Sequence, residues 1–361
     1  MNNPIIKKLS VILLVSLLVF SLAGCGNESA QDNQTASNSN SEQLAMPEEI
    51  NFGILRVPND ETIALAEGYF EKYFEDKGIK VNTTVFDSGA EANQALASGS
   101  IDFATMGNTN AITALSRELN VEMVWLHEVL GENEALAIKN NSGIEKVEDL
   151  AGMRIAVPFA STAHYILLNV LKEAGIENEV QLLDMQTAEI VAAWERGDIQ
   201  AAYSWEPTLS KLLDNGFPLV TSEDMAEKGY ITANVEVVRK KFSDKYPHIV
   251  ADFISAMSEA AEIYRNDPQK ASEIVAEELG IEPEVALHQM RGTSWKTREE
   301  LLSQDFFGTK ESPGNFAKVM KDTSDFLQAQ DSIEVSPSQE EYNDYVNPEY
   351  IQMSLENEQQ D

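Results

Sequence analysis

The sequence predicts an α/β protein with two lobes joined by a hinge. Short apolar segments alternate with amphipathic segments of helical spacing, a pattern typical of α/β folds. The alternation starts near residue 50, begins again near residue 143 and becomes mainly helical after residue 240. Two β-rich segments, near 137–141 and 231–237, are the predicted crossings between the lobes. Two strands that connect two lobes form a hinge.

These crossings divide the chain into predicted domains. Lobe 1 takes residues 48–139 and 236–345, and lobe 2 takes residues 140–235. Residues 346–361 are predicted to be a polar, mobile tail without assigned structure. With 361 residues and 43% hydrophobic content, the chain is long enough to bury a core in each lobe.

The first lobe is predicted from strands that end in turn residues and helices that end in glycine. The predicted order is strand INFGILRV (50–57), helix TIALAEGYFEKYFEDKG (62–78), strand IKVNTTVFD (79–87), a helix to Gly99, the apolar strand IDFATMG (101–107), a further helix, and strand VEMVWLHEV (121–129). We expect mainly parallel sheets from this alternation.

The second lobe repeats the same plan, and a helical region follows it. The predicted order is a strand over 153–157, a helix that starts at STAH, strand EVQLLD (179–184), helix TAEIVAAWERG (187–197), strand DIQAAYSWEP (198–207) and the β-rich segment ITANVEVVRK (231–240). Trp194 shares a helical face with Ile190 and Val191, so we expect it in the core.

The charge balance excludes several classes of partner. The chain has 26 basic and 60 acidic residues, which gives a formal net charge of −34. Such a surface repels nucleic acid and anionic lipid. We therefore expect no nucleic-acid partner.

The N-terminus is predicted to be a targeting segment. Lys7 and Lys8 precede an apolar stretch that ends in Leu-Ala-Gly-Cys, which resembles a bacterial lipobox with Cys25 as the lipidated residue. A chance cysteine behind an ordinary signal peptide is the alternative. Residues 1–24 are then a signal peptide, and 25–47 are the lipidated cysteine and a polar linker. We expect a protein anchored on the extracytoplasmic face of a membrane.

Motifs for catalysis and metal binding are missing from the sequence. It has no G-x-S-x-G, P-loop or G-x-G-x-x-G motif, and HEVLG (127–131) lacks the second histidine of a zinc protease. The four histidines show no zinc-ligand spacing. The single cysteine allows no disulfide within one chain. We expect a binding protein without metal or cofactor, and an enzyme stays open as an alternative.

Five stretches, taken together and in order, resemble the substrate-binding proteins of ABC importers for taurine, alkanesulfonates and nitrate, above all the taurine-binding members. They are FDSGAEANQALASGSIDFATMGNTNA, GENEALAIK, VEDLAGMRIAVPFASTAHYILL, IVAAWERGDIQAAYSWEP and VVRKKFSDKYPHIV, and the likeness extends from about Ile50 to Tyr345. The resemblance implies a type II periplasmic-binding-protein fold. It also implies a monomer that closes on a small ligand, and a membrane permease and an ATPase as partners.

Taurine carries a sulfonate and an ammonium group, so its site needs donors at one end and acceptors at the other. Two helix starts are the predicted donors, because the first turn of a helix presents free N–H groups. One is at Asn108 and Thr109 in lobe 1, and the other is at Ser161, Thr162 and His164 in lobe 2. Plain N-capping, or packing of His164 between the lobes, is the alternative.

Two acids are the predicted acceptors for the ammonium. Glu134 in GENEAL is the first candidate, because the taurine-binding members have a similar stretch, and a solvated acid at a strand edge is its alternative. Glu206 in SWEP is the second, because open α/β sheets bind ligands in the loop after a strand's carboxyl end, and a helix N-terminal acid is its alternative. Trp205 is predicted to cover the ethyl carbons or to stack near the ammonium. Asn234 stands near the point where the family's taurine-binding members carry an aspartate, which puts amine recognition there in doubt. Asp87 is predicted to be a structural helix cap.

The predicted function is therefore the capture of taurine in a cleft between the lobes and its delivery to an ABC permease. Another alkanesulfonate, nitrate or a small amine-bearing solute stays open as the ligand. A lipoprotein that presents its ligand to a membrane sensor would have the same binding lobes.

Overall fold

A computed structural model describes residues 45–359, and in this part of the chain it contains two β-sheets with helices packed against each. Lobe 1 is built on the larger sheet. Its strands are β1 (Glu49–Leu55), β2 (Lys80–Phe86), β3 (Phe103–Gly107), β4 (Val121–Leu130), β10 (Ala233–Arg239) and β11 (Thr293–Ser294). They lie in the order β11-β4-β10-β3-β1-β2.

Lobe 2 is built on a five-stranded sheet in the order β7-β6-β8-β5-β9. Its strands are β5 (Glu134–Lys139), β6 (Arg154–Val157), β7 (Gln181–Asp184), β8 (Ala201–Trp205) and β9 (Gly216–Thr221). Its helices are α5 (Thr162–Ala174), α6 (Thr187–Arg196), α7 (Thr208–Leu213) and α8 (Ser222–Ala226).

The remaining helices belong to lobe 1. They are α1 (Asp60–Ala66), α2 (Tyr69–Tyr73), α3 (Gly89–Ser98), α4 (Asn108–Ser116), α9 (Lys240–Ser243), α10 (Pro247–Asn266), α11 (Pro268–Leu279), α12 (Pro283–Arg291), α13 (Arg298–Leu301), α14 (Asn315–Ala329), α15 (Gln339–Tyr345) and α16 (Glu349–Glu358). Proline occupies the first turn of α10, α11 and α12, where its missing N–H has no intrahelical partner to lose.

The two-lobed α/β architecture is the predicted one, but the sheets are mixed rather than mainly parallel. Strand β1 is parallel to β2 and β3, and β6 is parallel to β7 and β8. Strands β5 and β10 pair antiparallel with both of their neighbours. Each of these two strands is the first that the chain forms after it crosses between lobes, so no crossover helix forces it to run parallel.

The structure places both crossings a few residues earlier than the predicted boundaries at 139/140 and 235/236. Glu134–Lys139 pairs with β8 and β9 in lobe 2, so the first crossing lies at 131–133. Ala233–Arg239 pairs with β3 and β4 in lobe 1, so the second crossing ends at residue 232. An apolar run such as EALAIK fits the interior of either sheet, and only its long-range partner decides which one.

The core of lobe 1 is aromatic. The ring of Phe52 on β1 lies 4.5–5.7 Å, between centroids, from the rings of four other phenylalanines, namely Phe70, Phe74, Phe103 and Phe253. In lobe 2, Trp194 is buried and its indole N–H donates to Asn215 at 2.6 Å, so the predicted core position is confirmed. Buried aromatic side chains of this kind contribute much of the apolar area that stabilises a core.

The predicted polar tail is in fact a packed helix. Val346 bridges to Met123 on β4, and α16 packs against α10. Tyr350, Ile351 and Ser354 are buried on one face at helical spacing. The polar residues between them hide this short apolar face in the sequence.

The predictions for residues 1–24, for Cys25 and for most of the linker lie outside the described residues. Among residues 45–359, no helix combines the length and the apolar character that crossing a membrane requires.

Replacing Ile351 with alanine should lower the free energy of unfolding by about 2–5 kcal/mol, because the truncation leaves a cavity under α16. Urea denaturation followed by circular dichroism measures the change. Asn357→Ala on the exposed face of the same helix is the control and should stay within about 0.5 kcal/mol of wild type. Equal effects of the two changes would contradict the packing of the tail.

Candidate functional site

A cavity of about 610 Å³ lies between the lobes and is lined by residues of both. Its size falls within the usual range for small-molecule sites. The residues from lobe 1 include Arg56, Ser88, Gly89, Gly107, Asn110 and Asn234, and those from lobe 2 include Glu134, Ser161, Thr162, Thr187, Trp205, Glu206 and Lys211.

Helix N-termini form much of the cavity wall. Residues from the first turns of α3, α4, α5 and α6, or from just before them, line it. Ser88 and Ser161 each cap their own helix by accepting from an N–H of the third residue, whereas α4 has no capping side chain. First-turn N–H groups have no intrahelical acceptor and favour negative charge. This wall can therefore bind an anion.

The lobes touch each other where α4 and α5 begin. The amide nitrogen of Asn110 donates to the carbonyl oxygen of Ala160 at 2.8 Å. A Cβ atom on Gly107 would lie 2.8 Å from the methyl group of Thr162. Only glycine at position 107 allows this approach, so the two helix starts meet across the cleft.

Glu134 is the most deeply buried acid of the cleft. Its carboxylate accepts from the hydroxyls of Thr162 and Ser222 at 2.5 Å each and from that of Thr232 at 3.4 Å. No salt bridge within residues 45–359 reaches it. Burial raises the pKa of Glu134 to about 7, although the three hydroxyls lower it in part. The carboxyl group is hydrogen-bonded, but no cation among residues 45–359 forms a salt bridge with it.

Asn234 reaches the cleft from lobe 1 and has a second acid behind it. Its amide nitrogen donates to Glu128 at 2.6 Å, and the two residues are directly opposite on β10 and β4. Glu128 is buried, and burial raises the pKa of Glu128 to about 7. Asn234 lines the cavity, but Glu128 does not.

Glu206 and Trp205 lie at the end of β8. Glu206 accepts from the backbone N–H of Ser210 in α7 and from the amide nitrogen of Gln289, both at 3.0 Å. Gln289 belongs to α12 of lobe 1, so this contact spans the two lobes. Burial raises the pKa of Glu206. Trp205 is half-buried and pairs with Glu134 across β8 and β5.

The matching family model describes NMT1/THI5-like proteins and covers residues 63–271. The chain belongs to the NMT1/THI5-like family. It is 34% identical to the taurine-binding periplasmic protein of Escherichia coli strain K12, over 80% of this chain and 88% of that protein.

Solved structures show the same fold at lower identity. The alkanesulfonate-binding protein SsuA from Xanthomonas axonopodis pv. citri, bound to MOPS, superposes with a TM-score of 0.69 and 21% identity, covering 82% of this chain and 96% of that one. The desulfurization enzyme DSZB also superposes, with a TM-score of 0.63 and 16% identity over 86% and 100% of the two chains. The family's fold thus occurs in binding proteins and in an enzyme.

Within this NMT1/THI5-like fold, six of the predicted site residues line the cavity, namely Glu134, Ser161, Thr162, Trp205, Glu206 and Asn234. Asn108 and Thr109 do not. The side-chain nitrogen of Asn108 donates to the carbonyl oxygen of Ile231 in the second crossing at 3.5 Å, and its oxygen accepts from the N–H of Ala233 at the start of β10 at 3.4 Å. The hydroxyl of Thr109 is buried and has no partner among the described residues. Only the helix start that these residues form, and not their side chains, faces the cleft.

His164 also lies behind the cavity wall, contrary to its predicted role as a donor. Its ring stacks on Phe159, with centroids 4.4 Å apart, and its Nδ1 accepts from the N–H of Ala160 at 3.4 Å. Burial lowers the pKa of His164 to about 4, so the ring is neutral at pH 7. His164 is therefore a packed residue of α5, as in the alternative reading of the sequence.

Two further positions differ from the prediction. Ser88, and not Asp87, caps α3, and Asp87 lines the cavity instead. Asn110 carries a hydrogen bond between the lobes although nothing singled it out in the sequence. Its position three residues after Gly107, at the start of the helix, is the one signal that could have identified it.

The HEVLG fragment belongs to a buried network in lobe 1 and not to a metal site. His127 contacts Asp60 at 2.6 Å and Glu236 at 3.1 Å. The hydroxyl oxygen of Thr105 lies 2.6 Å from Glu61 and 2.9 Å from Glu236, within hydrogen-bond distance of both. Although burial alone would lower the pKa of His127, the two carboxylates raise it well above its usual value. Within residues 45–359 no cluster of His, Cys, Asp and Glu is arranged to hold a metal ion.

Replacing Gly107 with alanine should hold the lobes further apart, because the new methyl group collides with Thr162, whose side chain is stiff at χ1. Small-angle X-ray scattering should show a larger radius of gyration. The double change Gly107→Ala with Thr162→Ser removes the opposing methyl, keeps the hydroxyl and should restore the wild-type value. A single variant with an unchanged radius, or a double variant that stays open, would contradict this contact.

Proposed function

We propose that this protein captures taurine in the interlobe cleft outside the cytoplasm and delivers it to an ABC permease and its ATPase. One observation carries the proposal: the buried carboxylate of Glu134 faces the cleft, and only neutral hydroxyls hold it. A carboxylate in this state favours a cation, and the helix starts around it favour an anion. A small zwitterion satisfies both.

The sulfonate end would bind to the helix starts. Backbone N–H groups at α3 and α4 approach from lobe 1, and those at α5 and α6 approach from lobe 2. A sulfonate has three oxygens, so it can accept from both lobes at once. The relatives named above support this assignment, because they include a taurine-binding and an alkanesulfonate-binding protein.

The ammonium end would lie between Glu134 of lobe 2 and Asn234 of lobe 1. A carboxylate offers about four lone-pair positions, and three hydroxyls occupy positions on Glu134. Trp205 follows on the neighbouring strand and can cover the carbon chain or stack on the cation. Glu206 has fewer acceptor positions free for a ligand than the sequence suggests, because Ser210 and Gln289 already donate hydrogen bonds to it.

Closure of the hinge is the proposed mechanism. A ligand that contacts both lobes shifts the population toward the closed form, which then docks on the permease. Micromolar affinity corresponds to about 8 kcal/mol, which a few charge-assisted hydrogen bonds in a dry cleft can supply. Lipid on Cys25 would keep the protein at the membrane.

Two alternatives have specific support. The cavity of about 610 Å³ also accommodates a larger alkanesulfonate, and its apolar lining includes Phe86, Phe159 and Val191. The fold of a desulfurization enzyme supports a catalytic role. We favour binding because the chain is 34% identical to a binding protein over most of its length.

Titration calorimetry tests the proposal on protein that has been unfolded and refolded to remove carried-over ligand. The titrants are taurine, ethanesulfonate, isethionate, nitrate and sulfate. Tight binding of taurine alone supports both ends of the site. Tight binding of every sulfonate would refute the role of Glu134, and silence toward all of them would refute the ligand class. Release of sulfite or ammonia from bound taurine would favour the enzyme.

The change Glu134→Gln should weaken taurine binding about tenfold to a hundredfold, because a hydrogen bond to a charged group contributes about 1.5–3 kcal/mol. Ethanesulfonate has no ammonium, so its affinity should change much less. Glu132→Gln, an exposed acid two residues away, is the matched control. Equal losses for the two ligands would remove Glu134 from the ammonium role.

The affinity for taurine should fall as the pH is lowered from 8 to 6. The pKa of Glu134 is about 7 in the free protein, so below that pH the carboxyl holds a proton that the ammonium must displace. For one linked proton the dissociation constant rises up to about tenfold per pH unit below the pKa. Calorimetry at several pH values measures this slope. It should flatten in Glu134→Gln, and ethanesulfonate should not show it.

A further inference from the structure

The pair formed by Glu128 and Asn234 is a buried feature that the proposed site does not yet explain. Asn234 is 8% exposed and lines the cleft, whereas Glu128 is 2% exposed and lies behind it. One oxygen of Glu128 accepts from the amide nitrogen of Asn234, and its other oxygen has no hydrogen-bond partner among residues 45–359. His127 and Asn59 also lower the pKa of Glu128, but Asn234 is its one close hydrogen-bond donor within residues 45–359. A buried acid with one close donor has a large influence on how that donor group is oriented.

The hydrogen bond determines which end of the Asn234 amide turns away from Glu128. An ionised carboxylate can only accept, so it must contact the NH₂ end of the amide. The carbonyl oxygen is then free for another partner. Since Asn234 also stands opposite Gly107, whose backbone lines the cleft, that partner can be a ligand.

The backbone supports the same orientation. Strand β10 pairs with β4 through a register shift between Asn234 and Val235. Such irregularities re-aim a side chain and are common beside functional sites. Asn108 holds this part of β10 by accepting from the N–H of Ala233. Asn234 is thus fixed at its backbone and at one end of its side chain.

We propose that Glu128 is a positioning residue that determines ligand selectivity: it holds the nitrogen of Asn234, so that the carbonyl oxygen accepts a hydrogen bond from the ammonium group of the ligand. This inference rests on the proposed function, because it assumes an amine-bearing ligand. The neutral amide of Asn234 thereby serves as the acceptor, and the negatively charged Glu128 lies behind it, away from the cleft. Without Glu128, the amide could present its NH₂ group and repel the ammonium.

The change Glu128→Gln tests the orientation, because glutamine has the same shape but can face the amide with either end. Calorimetry on the full chain at pH 8, where Glu128 is ionised, should show taurine binding weakened about tenfold. Binding of ethanesulfonate should stay within about twofold of wild type. A general loss of structure would weaken the binding of both ligands alike. An unchanged ratio of the two affinities would overturn the proposal.

Exchanging the two groups provides a rescue. The double variant Glu128→Gln with Asn234→Asp puts a carboxylate in the cleft and an amide behind it, with nearly the same atoms. It should bind taurine at least as tightly as wild type. A double variant as weak as Glu128→Gln alone would also overturn the proposal. Glu132→Gln is again the control for removing one negative charge.

A measurement without ligand separates this inference from the proposed function. In protein labelled with [¹⁵N]asparagine, the side-chain amide of Asn234 is the signal that disappears in Asn234→Asp. It should shift with a midpoint near pH 7 as Glu128 titrates, and it should lose this shift in Glu128→Gln. An amide that does not respond refutes the orientation. A responding amide in a protein that binds no sulfonate refutes the proposed function and leaves the orientation supported.

Discussion

The site depends on carboxyl groups that are buried and held by neutral hydrogen-bond donors. Hydroxyls hold Glu134, an amide holds Glu128, and an amide with a backbone N–H holds Glu206. Burial is the main cause that raises the pKa of each of these groups, although His127 partly lowers the pKa of Glu128 and His288 that of Glu206. Ionising these acids beside the cleft therefore costs free energy. In the proposed binding mode, the ammonium group of the ligand offsets part of that cost.

The buried network of lobe 1 shows the opposite arrangement. There Asp60 and Glu236 surround His127, and the pKa of this histidine lies well above its usual value, so a positive charge is already present. Removing one partner from such a buried group is strongly destabilising, which marks it as structural. The two sets lie on adjacent positions of β4, since His127 and Glu128 are neighbours. Alternation along one strand thus separates a structural network from the wall of the cleft.

The sequence predicts local features well and long-range partners poorly. The alternation of strands and helices and the two lobes follow from local patterns. The crossings are misplaced because Glu134–Lys139 can satisfy either sheet, and α16 is missed because Ile351 stands among polar neighbours. His164 is misassigned because its stacking on Phe159 leaves no trace in spacing. Glu128 and Asn234 stand 106 positions apart, so their pairing exists only in the folded chain.

The placement of Glu134 and Asn234 links the proposed recognition of the ammonium charge to closure of the lobes. Glu134 begins β5 just after the first crossing, and Asn234 lies in β10 just after the second, so the two proposed ammonium partners belong to different lobes. An ammonium between them draws the lobes together at the hinge, while a sulfonate at the helix starts draws them together further out. A ligand without the amine makes only the second contact and leaves the buried carboxylates uncompensated. A ligand shifts a conformational equilibrium only by the difference between its affinities for the two states. Because the uncompensated carboxylates reduce this difference, a ligand without the amine should stabilise the closed form less than its contacts with the helix starts alone would.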